Sequence, residues 1–365
     1  LEMKHIRVIE PMGKMSSSHV TPTDHLYFGY SNSENGPSYD VRAMADGYLV
    51  EVERHRDQGN FQDYRMVFEH SCTFFSYYIH IQIISHQIIE RSDLIAELEE
   101  IPGEDVNENN RGARNIRIPI KAGDVIGKVG TIRSFDVGVV DTKTILPGFV
   151  IPSRYDGESW KIHTVDPFDY FEEDLALVLL EKNPRTADPK GGKIDYDIDG
   201  RLVGNWFMDG TNDYRGGGID NQDFCEPKYS QCPYWWGHIS FSYDYIDPSQ
   251  IRISMGAYTG ISMDDCRVCF NVYGVRNNSP DPSEIGKSSG LVKYELVQRR
   301  HSDDLHVRTE NVDSKVLGVI LVQILDDHTI KVEVFPGKTA EQVSGFSDTI
   351  IGPGHIVGTS RIYRR

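Results

Sequence analysis

Hydrophobic and polar positions along this chain mostly alternate with the period of strands rather than helices. Tyr39–Glu53 reads YDVRAMADGYLVEVE. The alternation after Gly47 and the turn-forming Asp46-Gly47 pair predict two strands joined as a tight hairpin. Tyr64–Glu69 and Thr73–Ile84 are rich in aromatic and β-branched residues, which predicts two more strands with His70-Ser71-Cys72 turning between them. Ile116–Val129 returns to the β pattern around a turn at Lys121-Ala122-Gly123-Asp124, and Phe135–Val140 adds a short strand. Ile88–Glu100 instead carries its Ile, Leu and Ala at helical spacing. Between it and the next strand, Pro102–Arg114 is polar with Gly, Asn and acids, and reads as a loop.

Asp166–Lys182 (DPFDYFEEDLALVLLEK) gives the strongest helical signal. Asp166 can cap it, Pro167 suits its first turn, and acids crowd its N-terminal half. Pro184–Lys193 then reads as a linker. Beyond it come short β-like runs separated by turn residues: Leu202–Met208, His238–Tyr243, Ile251–Met255, Val268–Tyr273, Leu291–Val297, Val316–Ile324 and Ile330–Phe335. Their regular spacing predicts an antiparallel sandwich or barrel. The expected layout is mainly β: a β domain over 1–165, a helix and linker over 166–192, and a sandwich or barrel over 193–365.

Composition narrows the function classes. Of the 365 residues, 39% are hydrophobic and 25% charged, a globular balance. A formal net charge of −17 disfavours nucleic acid as a partner, because phosphate would be repelled. No run approaches the ~18 apolar residues that a helical membrane span needs. Four of the five cysteines, Cys225, Cys232, Cys266 and Cys269, form a C-x6-C and a C-x2-C. They suit two disulfides of a secreted protein, or a four-thiolate zinc knot. Cys72 is left over and is expected to be a buried free thiol. Asn277-Asn278-Ser279 matches the glycosylation acceptor pattern.

Four segments in the first half occur in a telling order: His19…Asp24-His25, the hairpin Val41–Val50, then Phe68–His80 followed by Ile81, and Lys121–Gly130 with Ser134-Phe135-Asp136-Val137-Gly138 behind it. Over residues 5–145 this order resembles the lysostaphin-type zinc peptidases. Members carry a His-x3-Asp pair, a hairpin ending in Asp-Gly, a Tyr-x-His element, a Gly-rich element and a closing His-x-His strand. The resemblance implies a small antiparallel β fold with zinc in a groove, and metal-assisted hydrolysis of peptide crosslinks. His80 falls on the assisting His. The opening Pro11–Phe28, the helix over Asp166–Lys182 and the β-rich tail resemble a secreted subgroup of that fold.

The chain departs from the pattern at the metal ligands. Asp136 stands where the metal-binding His of His-x-His would be, and His19-x5-His25 with Asp24 replaces His-x3-Asp. Either His19, His25 and Asp136, with Asp24 as a further candidate, retain a two-His, one-carboxylate zinc set, or the site has lost its metal. A carboxylate such as Asp136 on a strand with apolar neighbours needs a metal or a charged partner.

In the second half, Trp206, Trp235 and Trp236 could stack on sugars if exposed, and otherwise belong to the core. Asp195-Tyr196-Asp197-Ile198-Asp199-Gly200 resembles the start of a calcium loop, but Trp206 stands where the closing Glu would be. Two functions are therefore expected: a non-catalytic binding or assembly protein, or a divergent zinc hydrolase. Both would act outside the cell or at its surface on a peptide, glycan or protein partner.

Overall fold

The computed structural model describes residues 1–16, 19–34, 36–58, 61–106, 109–217, 233–256, 272–299, 311–347 and 360–365. The protein is mainly β, with antiparallel sheets, few helices and a closed eight-stranded barrel in its C-terminal half. Two compact units form, and neither is continuous in sequence. The first comprises Leu1–Pro11, His25–Ile145 and His163–Pro184; the second comprises Met12–Asp24, Leu146–Ile162 and Arg185–Arg365.

In the first unit a seven-stranded sheet runs in the order β1 (Ile6–Glu10), β2 (Leu26–Tyr30), β10 (Ser134–Asp141), β6 (Phe74–Ile81), β5 (Phe61–Glu69), β4 (Gly47–Gln58) and β8 (Gly112–Ile120). A smaller sheet joins β3 (Tyr39–Arg42), β9 (Val125–Val129) and β7 (Ile83–Ile84). Successive side chains on a strand point to opposite faces. On β10, Phe135 and Val137 therefore turn to the apolar side, where they line a cavity of ≈ 110 Å³ with Phe28, Tyr78, Leu175 and Leu179. Asp136 and Gly138 turn to the other side.

The hairpin expected over Tyr39–Glu53 does not form. β3 pairs with β9, while β4 pairs with β5 and β8. Asp46 is occupied elsewhere: its carboxylate accepts from the Ala122 amide at 2.9 Å and binds Lys121 Nζ at 2.7 Å. The Asp-Gly step thus passes the chain from one sheet to the other.

Both expected helices are split. Residues 88–100 give α1 (His86–Ile89) and α2 (Asp93–Glu100), separated by a turn. Arg54, 2% exposed, donates from Nη1 to the carbonyls of Leu98 (3.1 Å), Glu99 (3.2 Å) and Ile101 (2.5 Å). A cation is thus buried against the negative C-terminal end of α2, where it satisfies carbonyls the helix leaves open. In the second region a 3-10 turn (Pro167–Tyr170) is capped by Asp166, which accepts from the Phe168 amide at 2.9 Å. The helix α3 then restarts at Glu173 and runs to Leu180 after extended residues at Phe171 and Glu172. Glu173 and Asp174 favour that second start, since acids stabilise the positive end of a helix.

The second unit settles the choice between sandwich and barrel. Its strands are β11 (Gly204–Met208), β12 (His238–Tyr243), β13 (Ile251–Met255), β14 (Val272–Val275), β15 (Val292–Arg299), β16 (Asn311–Asp326), β17 (Thr329–Pro336) and β18 (Arg361–Arg364). β18 pairs with both β17 and β11, which closes the ring. The interior is packed with alternate residues such as Trp206, Ile239, Phe241, Ile253, Tyr294 and Tyr363. Outward residues of β11–β13 are also buried, because the two segments from the N-terminal half lie over them. Asn205 donates to Tyr155 Oη at 3.0 Å, and Ser242 Oγ donates to Met15 Sδ at 3.4 Å. The outward Arg252 meets Asp244 at 2.8 Å, both almost fully enclosed.

Trp206 anchors this core: it is fully buried, its indole N–H donates to the Leu202 carbonyl at 2.8 Å, and the Arg365 guanidinium lies 4.0 Å above its ring. Trp206→Ala is expected to destabilise the barrel unit by about 3–5 kcal/mol, the usual cost of emptying a buried aromatic site. Denaturant unfolding followed by the fluorescence of the remaining tryptophans measures it. A loss below about 1 kcal/mol would contradict this placement of the ring.

Candidate functional site

One face of the seven-stranded sheet carries a line of alternating imidazoles and carboxylates. It begins at His25, just before β2. His25 Nε2 lies 3.4 Å from Asp136 Oδ2 on β10, and His80 Nε2 on β6 lies 3.4 Å from the same oxygen. The other nitrogen of His80, Nδ1, sits 3.1 and 3.0 Å from the two carboxylate oxygens of Asp63 on β5. His55 on β4 continues the line, 3.9 Å from Asp63 and 3.8 Å from Glu53. Arg111, just before β8, closes it with Nε 2.6 Å from Glu53, while Arg65 reaches Glu53 at 3.9 Å.

Pairing register puts these groups on one face. Asp136 stands opposite Tyr27 and Ile79, His55 opposite Asp63, and Glu53 opposite Arg65. Directly paired residues of antiparallel strands project to the same side. His80 breaks the alternation. The β5–β6 register slips between Tyr64 opposite Ile81 and Met66 opposite Tyr78, and His80 has φ +68°. Such a left-handed conformation costs a non-glycine residue of order 1–3 kcal/mol, and a bulge re-aims the side chain that carries it. Here it swings the imidazole between two carboxylates. Tyr77 frames the line, with Arg65 5.0 Å from its ring centre. Its ring lies so close to Gly138 that a Cβ there would fall 2.0 Å from Tyr77 Cζ.

Carboxylates lie at the bottom of this face and cations nearer solvent. The side chains of Asp63, Asp136 and Glu53 are 1%, 4% and 8% exposed, against 25% for His80, 33% for His55 and 26% for Arg65. Burial opposes charge at Glu53, Asp63, His55 and His80, and the pairing overcomes it. His55, Arg111 and Arg65 hold Glu53 down to about 2 despite its burial. Burial also works against the Asp63 anion, yet His55 and His80 keep it well below the usual carboxylate range. Asp63 and Glu53 outweigh burial at His55 and raise it to about 9. Asp63 and Asp136 likewise raise His80 above its ordinary value.

Of the residues singled out in the sequence, His25, His80 and Asp136 meet here. His19 and Asp24 belong to the other unit, where the His19 backbone bridges to Ser16. Burial, followed by charges that include Asp24, pushes the Tyr214 and Tyr234 phenols of that unit upward. Glu53, His55 and Asp63 were missed, although their i, i+2 spacing on β4 and position across the β4–β5 pair were the available signal. Among the described residues, no group of three or more His, Cys, Asp or Glu side chains is placed to hold a metal ion. In this structure His25 and His80 both turn Nε2 toward one oxygen of Asp136, so the three side chains pair with one another.

Other expectations need correction. Trp206 and Trp236 are 0% and 4% exposed, so neither offers a ring to a sugar, and Trp235 is half-buried against the same core. Asp195, Asp197 and Asp199 do not converge as calcium ligands. Asp195 binds Lys193 Nζ at 2.6 Å, Asp197 accepts from the Asn205 amide at 2.8 Å, and Asp199 meets His328 at 2.9 Å. Cys72 is a free thiol but exposed, because it sits at the tip of the β5–β6 turn. Cys225, Cys232, Cys266 and Cys269 lie outside the described residues.

These shifts set the sign of the pH dependence. Depressed Glu53 and Asp63 stabilise the fold above the ordinary carboxylate range, and that contribution is lost as pH falls through their folded values. His55, raised to about 9, stabilises fully below about 6.5, its unfolded value, and loses that contribution as pH climbs toward 9. Urea midpoints of the wild type should therefore fall between neutral pH and about 9.5, and His55→Gln should flatten that decline. An identical decline in the variant would remove His55 from the line.

No protein-family model, no curated protein and no solved structure matches the chain.

Proposed function

We propose that the first unit is a lysostaphin-like groove that works without zinc, as a binding surface rather than a hydrolase. The observation that carries this reading is the double use of Asp136 Oδ2, which faces the Nε2 atoms of both His25 and His80 at 3.4 Å. With a carboxylate where the fold it resembles has a His, the set gains a negative charge. That charge favours a proton on the neighbouring His80. His80 is drawn into the pairing from both sides, by Asp136 and by Asp63. The partner is a peptide, glycan or protein at the cell exterior.

A second reading, a divergent zinc hydrolase, draws on one feature. A metal-binding His usually donates its other ring N–H to a carboxylate, as His80 does to Asp63. Metal content separates the two. Protein purified from zinc-supplemented medium is expected to hold far less than one zinc per chain and to melt at the same temperature with and without chelator. Stoichiometric zinc, with a melting temperature that falls on chelation, would establish the hydrolase reading instead.

A further inference from the structure

The apolar cavity on the far side of the seven-stranded sheet measures ≈ 110 Å³ and is lined wholly by the first unit. Ile6 of β1, Phe28 of β2, Val41 of β3, Tyr78 of β6 and Val137 of β10 form its floor, and Leu179 of α3 closes one side. All six side chains are buried. Five are pure hydrocarbon, and the sixth has its polar atom occupied: Tyr78 Oη accepts from the Met44 amide at 3.1 Å. A polar group pushed onto this floor would lose its water and gain no hydrogen bond from these side chains. Met3, Met44, Phe171 and Leu175 stand nearer solvent, and Leu175 is 43% exposed, so the cavity opens beside α3. The two methionines can adjust to what enters, because their thioether chains are flexible. Arg42 borders the opening too, but its guanidinium is engaged with the Gly123 carbonyl at 2.8 Å and Asp40 at 3.6 Å.

We propose that this cavity binds the alkyl end of a small amphiphile, whose polar head stays in water at the opening. Size and lining set that class. A cavity of ~150 Å³ with such walls stays dry and holds the six carbons of benzene. This one is about three-quarters as large, which leaves room for about four or five carbons of a chain and too little for a six-membered ring. Because the floor is closed and the opening wet, the chain enters tail first. A protein partner would need about 800 Å² of surface on this side. Of the lining residues, only Leu175 is a strongly exposed apolar side chain; Leu177 and Val178 of α3 are exposed as well, but neither lines the opening. A flexible tail therefore suits the site better than a docked surface. The inference does not depend on what occupies the opposite face of the sheet.

Straight-chain 1-alkanols from ethanol to 1-hexanol, and 1,4-butanediol, are titrated into the full chain labelled with carbon-13 at its Ile, Leu, Val and Met methyls, and the methyls are followed by NMR. Each added methylene should tighten binding about fourfold until the cavity is full at about 1-butanol or 1-pentanol, and further carbons should add little. 1,4-Butanediol would carry its second hydroxyl onto the floor, so it should bind at least about tenfold more weakly than 1-butanol. The methyls of Val41, Val137, Leu179 and Met44 should shift saturably, while those of Ile253 and Val332 in the barrel core should stay in place. Val41→Met fills the cavity with a flexible chain and should weaken 1-butanol binding about tenfold or more. Leu175→Gln replaces an exposed side chain at the opening, keeps the fold, and should weaken it about twofold or more. No saturable shift at the lining methyls, equal binding of 1,4-butanediol, or undiminished binding in both folded variants would overturn the proposal.

Discussion

Three carboxylates lie buried on one face of one sheet, and basic side chains stand against each of them. An unpaired carboxylate in so enclosed a place would take up a proton or unfold the strands around it. Glu53 is answered by Arg111, Arg65 and His55, Asp63 by His55 and His80, and Asp136 by His80 and His25. Removing one partner would leave a buried charge uncompensated, which is costlier than never having placed it. The line therefore couples β2, β10, β6, β5, β4 and the start of β8 through charge as well as backbone hydrogen bonds.

The fold spends backbone strain to complete it. His80 takes a left-handed conformation within a register slip, and Gly138 leaves out a Cβ so that the Tyr77 ring can lie over it. The opposite face behaves differently. It is apolar around Phe28, Tyr78 and Phe135, and the buried Arg54 there donates to carbonyls at the end of α2.

Legibility followed the source of the signal. β12 and β13 were readable residue for residue, because their inward apolar residues alternate with polar ones. The supposed Tyr39–Glu53 hairpin misled because local turn chemistry is silent about which strand a segment will pair with, and Lys121 and Ala122 claimed Asp46 from 75 residues away or more. Helix breaks at Ser92 and Glu172 were invisible to periodicity, since both sides keep a helical pattern. At the site, Asp136 and His80 were found through a resemblance. Glu53, His55 and Asp63 carried no motif, and only the pairing of β4 with β5 and of β5 with β6 makes them neighbours of His80.

The central claim is that the His80 and His55 rings are imidazolium ions clasped by carboxylates, with no metal on His80. Nitrogen-15 NMR of the imidazoles, on protein labelled at histidine and grown with zinc, reads this directly near pH 6. Protons on both ring nitrogens of His55 and His80 are the result that the charge-paired line predicts. A neutral His80 ring, with Nε2 unprotonated and shifted as a metal-bound nitrogen, would contradict it.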